Sequence, residues 1–109
     1  MFDYDGAERV IDTAKRKIEA DLMIVFGSVA RGTANDDSDL DILVVKDSDE
    51  NSFIGGAEAR LALYDSDIPI DIIVYTPEEF KEELSRKYSL AYEAVTTGKV
   101  VHGSMDYIG

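Results

Sequence analysis

The stretch Phe26-Gly27-Ser28-Val29-Ala30-Arg31-Gly32-Thr33-Ala34-Asn35-Asp36-Asp37-Ser38-Asp39-Leu40-Asp41-Ile42-Leu43-Val44-Val45 decides the reading of this chain. It joins two apolar runs through a small polar turn, and its second run opens with two aspartates spaced two apart. On a strand, side chains at i and i+2 leave the same face about 7 Å apart, so Asp39 and Asp41 form a pair able to lean onto shared cations. Two carboxylates on one patch repel and push one pKa upward unless a counter-charge arrives. A hard divalent cation such as Mg2+, which takes carboxylate and phosphate oxygens, is the natural counter-charge.

The turn before the pair is suited to phosphate. Gly27 can adopt a positive φ and has no Cβ to obstruct a ligand. Ser28 adds a hydroxyl and is expected to cap a following short helix, whose free N–H groups would point at an anion. Arg31 is the one basic residue from Val29 to Asp37. It can pair with Asp36 or Asp37, or with phosphate oxygens.

Working outward on the N-terminal side, Leu22 to Phe26 is a continuous apolar run ending at a glycine, the pattern of a strand buried on both faces. Before it, Ala7, Val10, Ile11, Ala14 and Ile18 recur at helical spacing between charged residues, which predicts an amphipathic helix. On the C-terminal side, the strand from Asp39 to Val45 puts Asp39, Asp41, Leu43 and Val45 on one face and Leu40, Ile42 and Val44 on the other. A hydrophilic loop from Asp47 to Ser52 follows. Ile54, Ala57, Leu61 and Tyr64 then mark a second amphipathic helix, weakened in its first turn by Gly55 and Gly56.

The next predicted strand, Ile68 to Tyr75, carries Asp71 among apolar neighbours, where an unpaired charge is expensive. Asp71 is therefore the third candidate metal ligand. Three carboxylates from two strands can hold two metals about 3.5 to 4 Å apart, the spacing used for in-line phosphoryl displacement. Thr76-Pro77-Glu78-Glu79 is a helix start with a capping box, and Tyr75 can staple onto Phe80. After a break near Arg86 to Tyr88, a last helix carries Ala91, Tyr92 and Val95 and ends at Gly98, and Lys99 to Gly103 reads as a short final strand. Tyr88 and Tyr92 can stack on a base, or pack as core or interface. His102, the single histidine, has no neighbouring ligand set.

Composition sets the outer bounds. At 109 residues, with 45% hydrophobic and 31% charged residues, the chain is expected to fold as one domain over 1–109, without room for a separate acceptor-binding domain. The 23 acidic against 11 basic residues give a net charge of −12, which opposes a nucleic-acid partner. With no cysteine, a disulfide framework and a thiolate metal site are excluded. No apolar targeting segment and no run of membrane-spanning length is present, so a cytoplasmic location is expected. Alternating strands and helices at irregular spacing predict an α/β (α+β) arrangement, a small mixed β-sheet with flanking helices.

Gly-Ser, ten residues, then Asp-x-Asp entering an apolar run resembles the motif of the polymerase β-like nucleotidyltransferase superfamily. Ala30-Arg31-Gly32, Ser38 and the short length resemble its minimal prokaryotic members. The resemblance implies a polymerase β-like nucleotidyltransferase fold and transfer of AMP from ATP to a hydroxyl with release of pyrophosphate. Asp39 and Asp41 would bridge two Mg2+ ions, with Mn2+ as a substitute, Asp71 would hold the metal that activates the hydroxyl, and Gly27 and Ser28, with Arg31, would bind the nucleotide's phosphates. It further implies an antitoxin that modifies a tyrosine of a HEPN-type toxin, while the residues leave a homo- or hetero-oligomer open. Two rival readings stay open at this point: a non-catalytic module that neutralises the toxin by contact, and a small aminoglycoside-type nucleotidyltransferase.

Overall fold

The computed structural model describes residues 1–47 and 52–104. Loop residues 48–51 and the tail from 105, both read above, lie outside them. The order of elements is α1 (Tyr4–Lys17), β1 (Leu22–Phe26), α2 (Gly27–Arg31), β2 (Leu40–Val45), α3 (Ser52–Ala62), β3 (Ile70–Tyr75), α4 (Pro77–Leu84), α5 (Leu90–Thr97) and β4 (Lys99–His102). The strands form one mixed sheet in the order β3-β2-β1-β4, with β1 antiparallel to both neighbours and β3 parallel to β2. The parallel pair needs a crossover, which α3 supplies.

The alternation of side chains along the strands makes two cores. Met23, Val25, Ile42, Val44, Ile72 and Val74 face one way, with Ala7, Ala14 and Ile18 of the α1 region and Ala59 and Leu63 of the α3 region. Leu22, Ile24, Phe26, Leu43 and Val45 face the other, under Phe80 of α4 and Ala91 and Ala94 of α5. All five residues of β1 are buried, as its unbroken apolar run predicts. α1 is capped by Asp3, whose carboxylate accepts from the Gly6 N–H at 2.8 Å, and closes with Lys15, Arg16 and Lys17 against the negative end of its dipole. Among the described residues no helix is long and apolar enough to cross a membrane.

The start of α4 follows the expected chemistry. The Glu79 N–H donates to Thr76 Oγ1 at 3.2 Å and the Thr76 N–H donates to Glu79 Oε1 at 2.8 Å, with the Tyr75 and Phe80 rings 6.5 Å apart. Between α4 and α5, Tyr88 takes a left-handed φ of 72° and is 84% exposed, so it belongs to neither core. The Ser89 hydroxyl then donates to the Glu83 carbonyl at 2.6 Å and accepts from the Tyr92 N–H at 3.0 Å, tying the end of one helix to the start of the next.

α3 departs from its predicted orientation. The stripe Ile54, Ala57, Leu61 and Tyr64 faces solvent, with Leu61 71% and Tyr64 81% exposed. Gly56, Ala59 and Leu63 are buried instead. The reason is close approach: a Cβ on Gly55 would stand 3.2 Å from Val74 Cγ1, so small residues face the sheet and the large ones are left outside.

Candidate active site

Each polar residue of the site is placed by the local backbone at one end of the sheet. β1 ends there, β2 and β3 begin there, and the Leu40 N–H donates to the Pro69 carbonyl at 2.8 Å to open the parallel ladder. That register sets Asp41 directly beside Asp71 on neighbouring strands. Asp39 immediately precedes β2. It is delivered by a tight turn in which the Ser38 N–H donates to the Asn35 carbonyl at 3.0 Å and the Asn35 N–H donates to Ser38 Oγ at 2.9 Å. Ser38 thus builds the turn that carries the first carboxylate.

Gly27 begins α2 with φ 74°, and a Cβ at this position would collide with the Asp41 carboxylate. Glycine is required here on both counts. Phe26, not Ser28, is the N-cap of α2, and it makes no side-chain cap bond. The expectation of a Ser28 cap is corrected because the helix starts at Gly27 and places Ser28 within its first turn. α2 closes at Gly32, left-handed at φ 76°, and the Thr33 N–H donates to the Ser28 carbonyl at 3.0 Å.

Asp41 is half-buried, whereas Asp39 and Asp71 are exposed. The view of Asp71 as a charge immersed in apolar surroundings is therefore corrected: β3 is an edge strand, and Asp71 reaches solvent there. Burial, then the charges of Asp71, Asp39 and Glu93, push the Asp41 carboxyl up from 3.8 to about 6, while Arg31 pulls the other way. Among the described residues none of Asp39, Asp41 and Asp71 makes an ion pair. Arg31 pairs with neither Asp36 nor Asp37. Its Nη1 lies 3.9 Å from Glu93 Oε1, and Asp36 is engaged by the chain's amino terminus at 2.6 Å.

The donor set suits a hard divalent cation, being carboxylate oxygens under mutual repulsion, with the Asp41 carboxyl pushed up first by burial and then by its acidic neighbours. Among the described residues no three acidic or histidine side chains converge as a ready-made cage. Residues 7–63 match the family described as a nucleotidyltransferase domain. The chain belongs to that family. The match takes in Gly27, Ser28, Arg31, Asp39 and Asp41 and ends before Asp71.

Solved structures agree with the nucleotidyltransferase assignment at the level of fold. The chain is similar to a toxin–antitoxin MntA–HpeT structure carrying two aspartate-to-glutamate substitutions, at 20% identity and TM-score 0.62, over 94% of this chain and 77% of that one. It is similar to a toxin–antitoxin structure with AMP-PNP at 24% identity and TM-score 0.58, with the same coverage. A candidate nucleotidyltransferase from Sulfolobus solfataricus aligns at 21% identity and TM-score 0.52, over 89% of this chain and 77% of that one. Curated protein sequences give no match to the chain.

Two participants in this candidate site were not legible beforehand. Glu93 reaches it from α5, and in sequence it is one more acid on an acidic chain. Tyr4 of α1 supports it from below, its hydroxyl accepting from the Ala34 N–H at 3.0 Å in the loop after α2. The lone clue to Glu93 was that Arg31 needs a partner and is the single basic residue between Lys17 and Lys46. Tyr92 is half-buried, its ring 6.5 Å from that of Tyr88, and His102 Nε2 bonds the Ala20 carbonyl at 3.0 Å, away from the carboxylates.

Proposed function

We propose that this chain transfers AMP from ATP to a tyrosine hydroxyl of a HEPN-type toxin and thereby acts as its antitoxin. The observation that carries the reading is the placement of Asp41 beside Asp71 and against the Gly27 turn at one end of the sheet, within reach of the charge of Asp39. The similar toxin–antitoxin chain described with AMP-PNP, an analogue of ATP, supports the choice of nucleotide.

In the reaction, the tyrosine oxygen bonds to the α-phosphorus, the bond from that phosphorus to the bridging oxygen of the β-phosphate breaks, and pyrophosphate leaves. The hydroxyl proton passes to solvent at the open edge beside Asp71. The backbone of Gly27 and the hydroxyl of Ser28 hold the leaving phosphates, and Arg31 adds the one guanidinium of the turn. Asp39, Asp41 and Asp71 would hold Mg2+ or Mn2+. Such cations offset the phosphates' charge and lower the pKa of a hydroxyl that is otherwise near 10.

The test is direct. Wild type incubated with ATP, Mg2+ and the partner adds one or more AMP masses to the partner, and Asp71→Asn does not. If the partner binds tightly but stays unmodified, and Asp39→Asn neutralises it as well as wild type does, neutralisation is by contact alone and the transfer reading fails.

A further inference from the structure

Among the described residues Arg31 is tethered through one ion pair. Its Nη1 meets Glu93 Oε1 at 3.9 Å, with both side chains nearly half exposed. A guanidinium carries five N–H donors in a planar fork, so this contact leaves most of them available to a ligand. The two ends of the contact differ in firmness. Arg31 rides on a helix of five residues, whereas Glu93 stands on α5, whose Ala91 and Ala94 are fully buried and whose first turn is fixed by the bonds from Glu93 N–H to the Ser89 carbonyl and from Tyr92 N–H to Ser89 Oγ.

The competing partner is Asp41. It is half-buried, it feels the charge of Arg31, and its carboxylate lies over Gly27, four residues before Arg31. A long arginine side chain released from α5 would be drawn to this carboxylate, neutralising the group that a cation needs and removing the turn's one guanidinium from the phosphates.

We infer that Glu93 is a positioning residue that holds Arg31 off Asp41 and presents its free N–H groups to the nucleotide's phosphates. This rests on the assignment of Arg31 to the phosphates made above.

The experiment measures AMP-PNP binding with Mg2+ by calorimetry on the full chain for wild type, Glu93→Gln, Arg31→Ala, the double variant and Asp39→Asn, with a melting temperature for each. Glu93→Gln should weaken AMP-PNP by about three- to tenfold, the range of a half-exposed charge contact acting on an anion. Its melting temperature should stay at the wild-type value, and in the Arg31→Ala background it should make no further difference. Equal or tighter binding in Glu93→Gln overturns the inference, as does the same loss with and without Arg31, since Glu93 would then act on its own. If Asp39→Asn abolishes binding while Glu93→Gln leaves it intact, the inference alone falls. If Asp39→Asn also binds normally, the nucleotide site itself is misplaced.

Discussion

The face of β2 that carries Asp41 has two halves with opposite fates. Toward its end, Leu43 and Val45 are fully buried beneath Phe80, Ala91 and Ala94, with Tyr75 packed alongside. Toward its start, Asp41 and its register partner Asp71 lie on the same face where the sheet opens to solvent. The strand, the pleat and the face are the same, and what changes is the cover. The covered half supplies cohesion, and the open half concentrates like charge that works against folding.

The largest effect should come from breaking the covered half. Phe80→Ala removes a fully buried ring and should lower stability by about 3–5 kcal/mol, read from denaturant unfolding. Nucleotide transfer by whatever fraction stays folded should be close to normal. A fold that tolerates this change with little loss would mean that the two halves do not differ as described.

Asp41→Asn sharpens the contrast from the other side. It should reduce transfer by about 10²–10³-fold, the scale seen when one electrostatic group of a reaction centre is removed. The same variant should be more stable than wild type in the metal-free state. Asp41 has a folded pKa of about 6 against an ordinary 3.8, so its protonated form is the one the fold prefers. Its stabilising contribution is complete below the ordinary value and is lost as pH rises through about 6. At pH 7.5 the variant should therefore lead by about 1 kcal/mol, a figure reduced for screening by water at a half-exposed site, and near pH 4 the two should coincide. Thermal melts of both proteins at the two pH values decide this, and a variant that melts lower at pH 7.5 would make Asp41 a structural partner.

The smallest expected effect lies at the entry to the covered half. Thr76→Ala deletes one arm of the capping box of α4 and should cost about 1 kcal/mol in chemical denaturation, with no change in nucleotide affinity. A loss of nucleotide affinity would mean that the two halves are coupled through α4.

The same contrast explains what the sequence discloses. β1, the register faces of β2 and the start of α4 are legible because each is set by neighbours within a few residues: an unbroken apolar run, strict alternation, and Thr76 with Glu79. The positive φ of Gly27 is legible for the same reason, as a glycine that closes an apolar run before a polar turn marks it locally. The orientation of α3 is not, because Gly55, Gly56 and Ala59 contribute little hydrophobicity, while the smallness of Gly55 is what lets the helix approach Val74. Periodicity follows bulk, and here bulk points outward. The exposure of Asp71 depends on β3 being an edge, a fact of sheet order that no local window contains. Glu93 is hidden more deeply, since its approach to Arg31 depends on how α5, some sixty residues further along the sequence, packs against β1 and α2.

The pairing of β4 with β1 has a consequence for how the molecule is made. Val25 meets Lys99 and Ile24 meets Val100, so one side of Leu22-Met23-Ile24-Val25-Phe26 receives its partner only from the last strand of the sheet. During synthesis on the ribosome, β1, β2 and β3 all emerge while that side is still bare, and a five-residue apolar strand with an open edge is a template for pairing with another chain. Arrival of Lys99–His102 closes it with a strand that is mostly exposed and begins with a lysine, the kind of edge that resists further addition. The final strand therefore works as an assembly seal, and the nascent chain is most exposed to aggregation in the interval before it emerges.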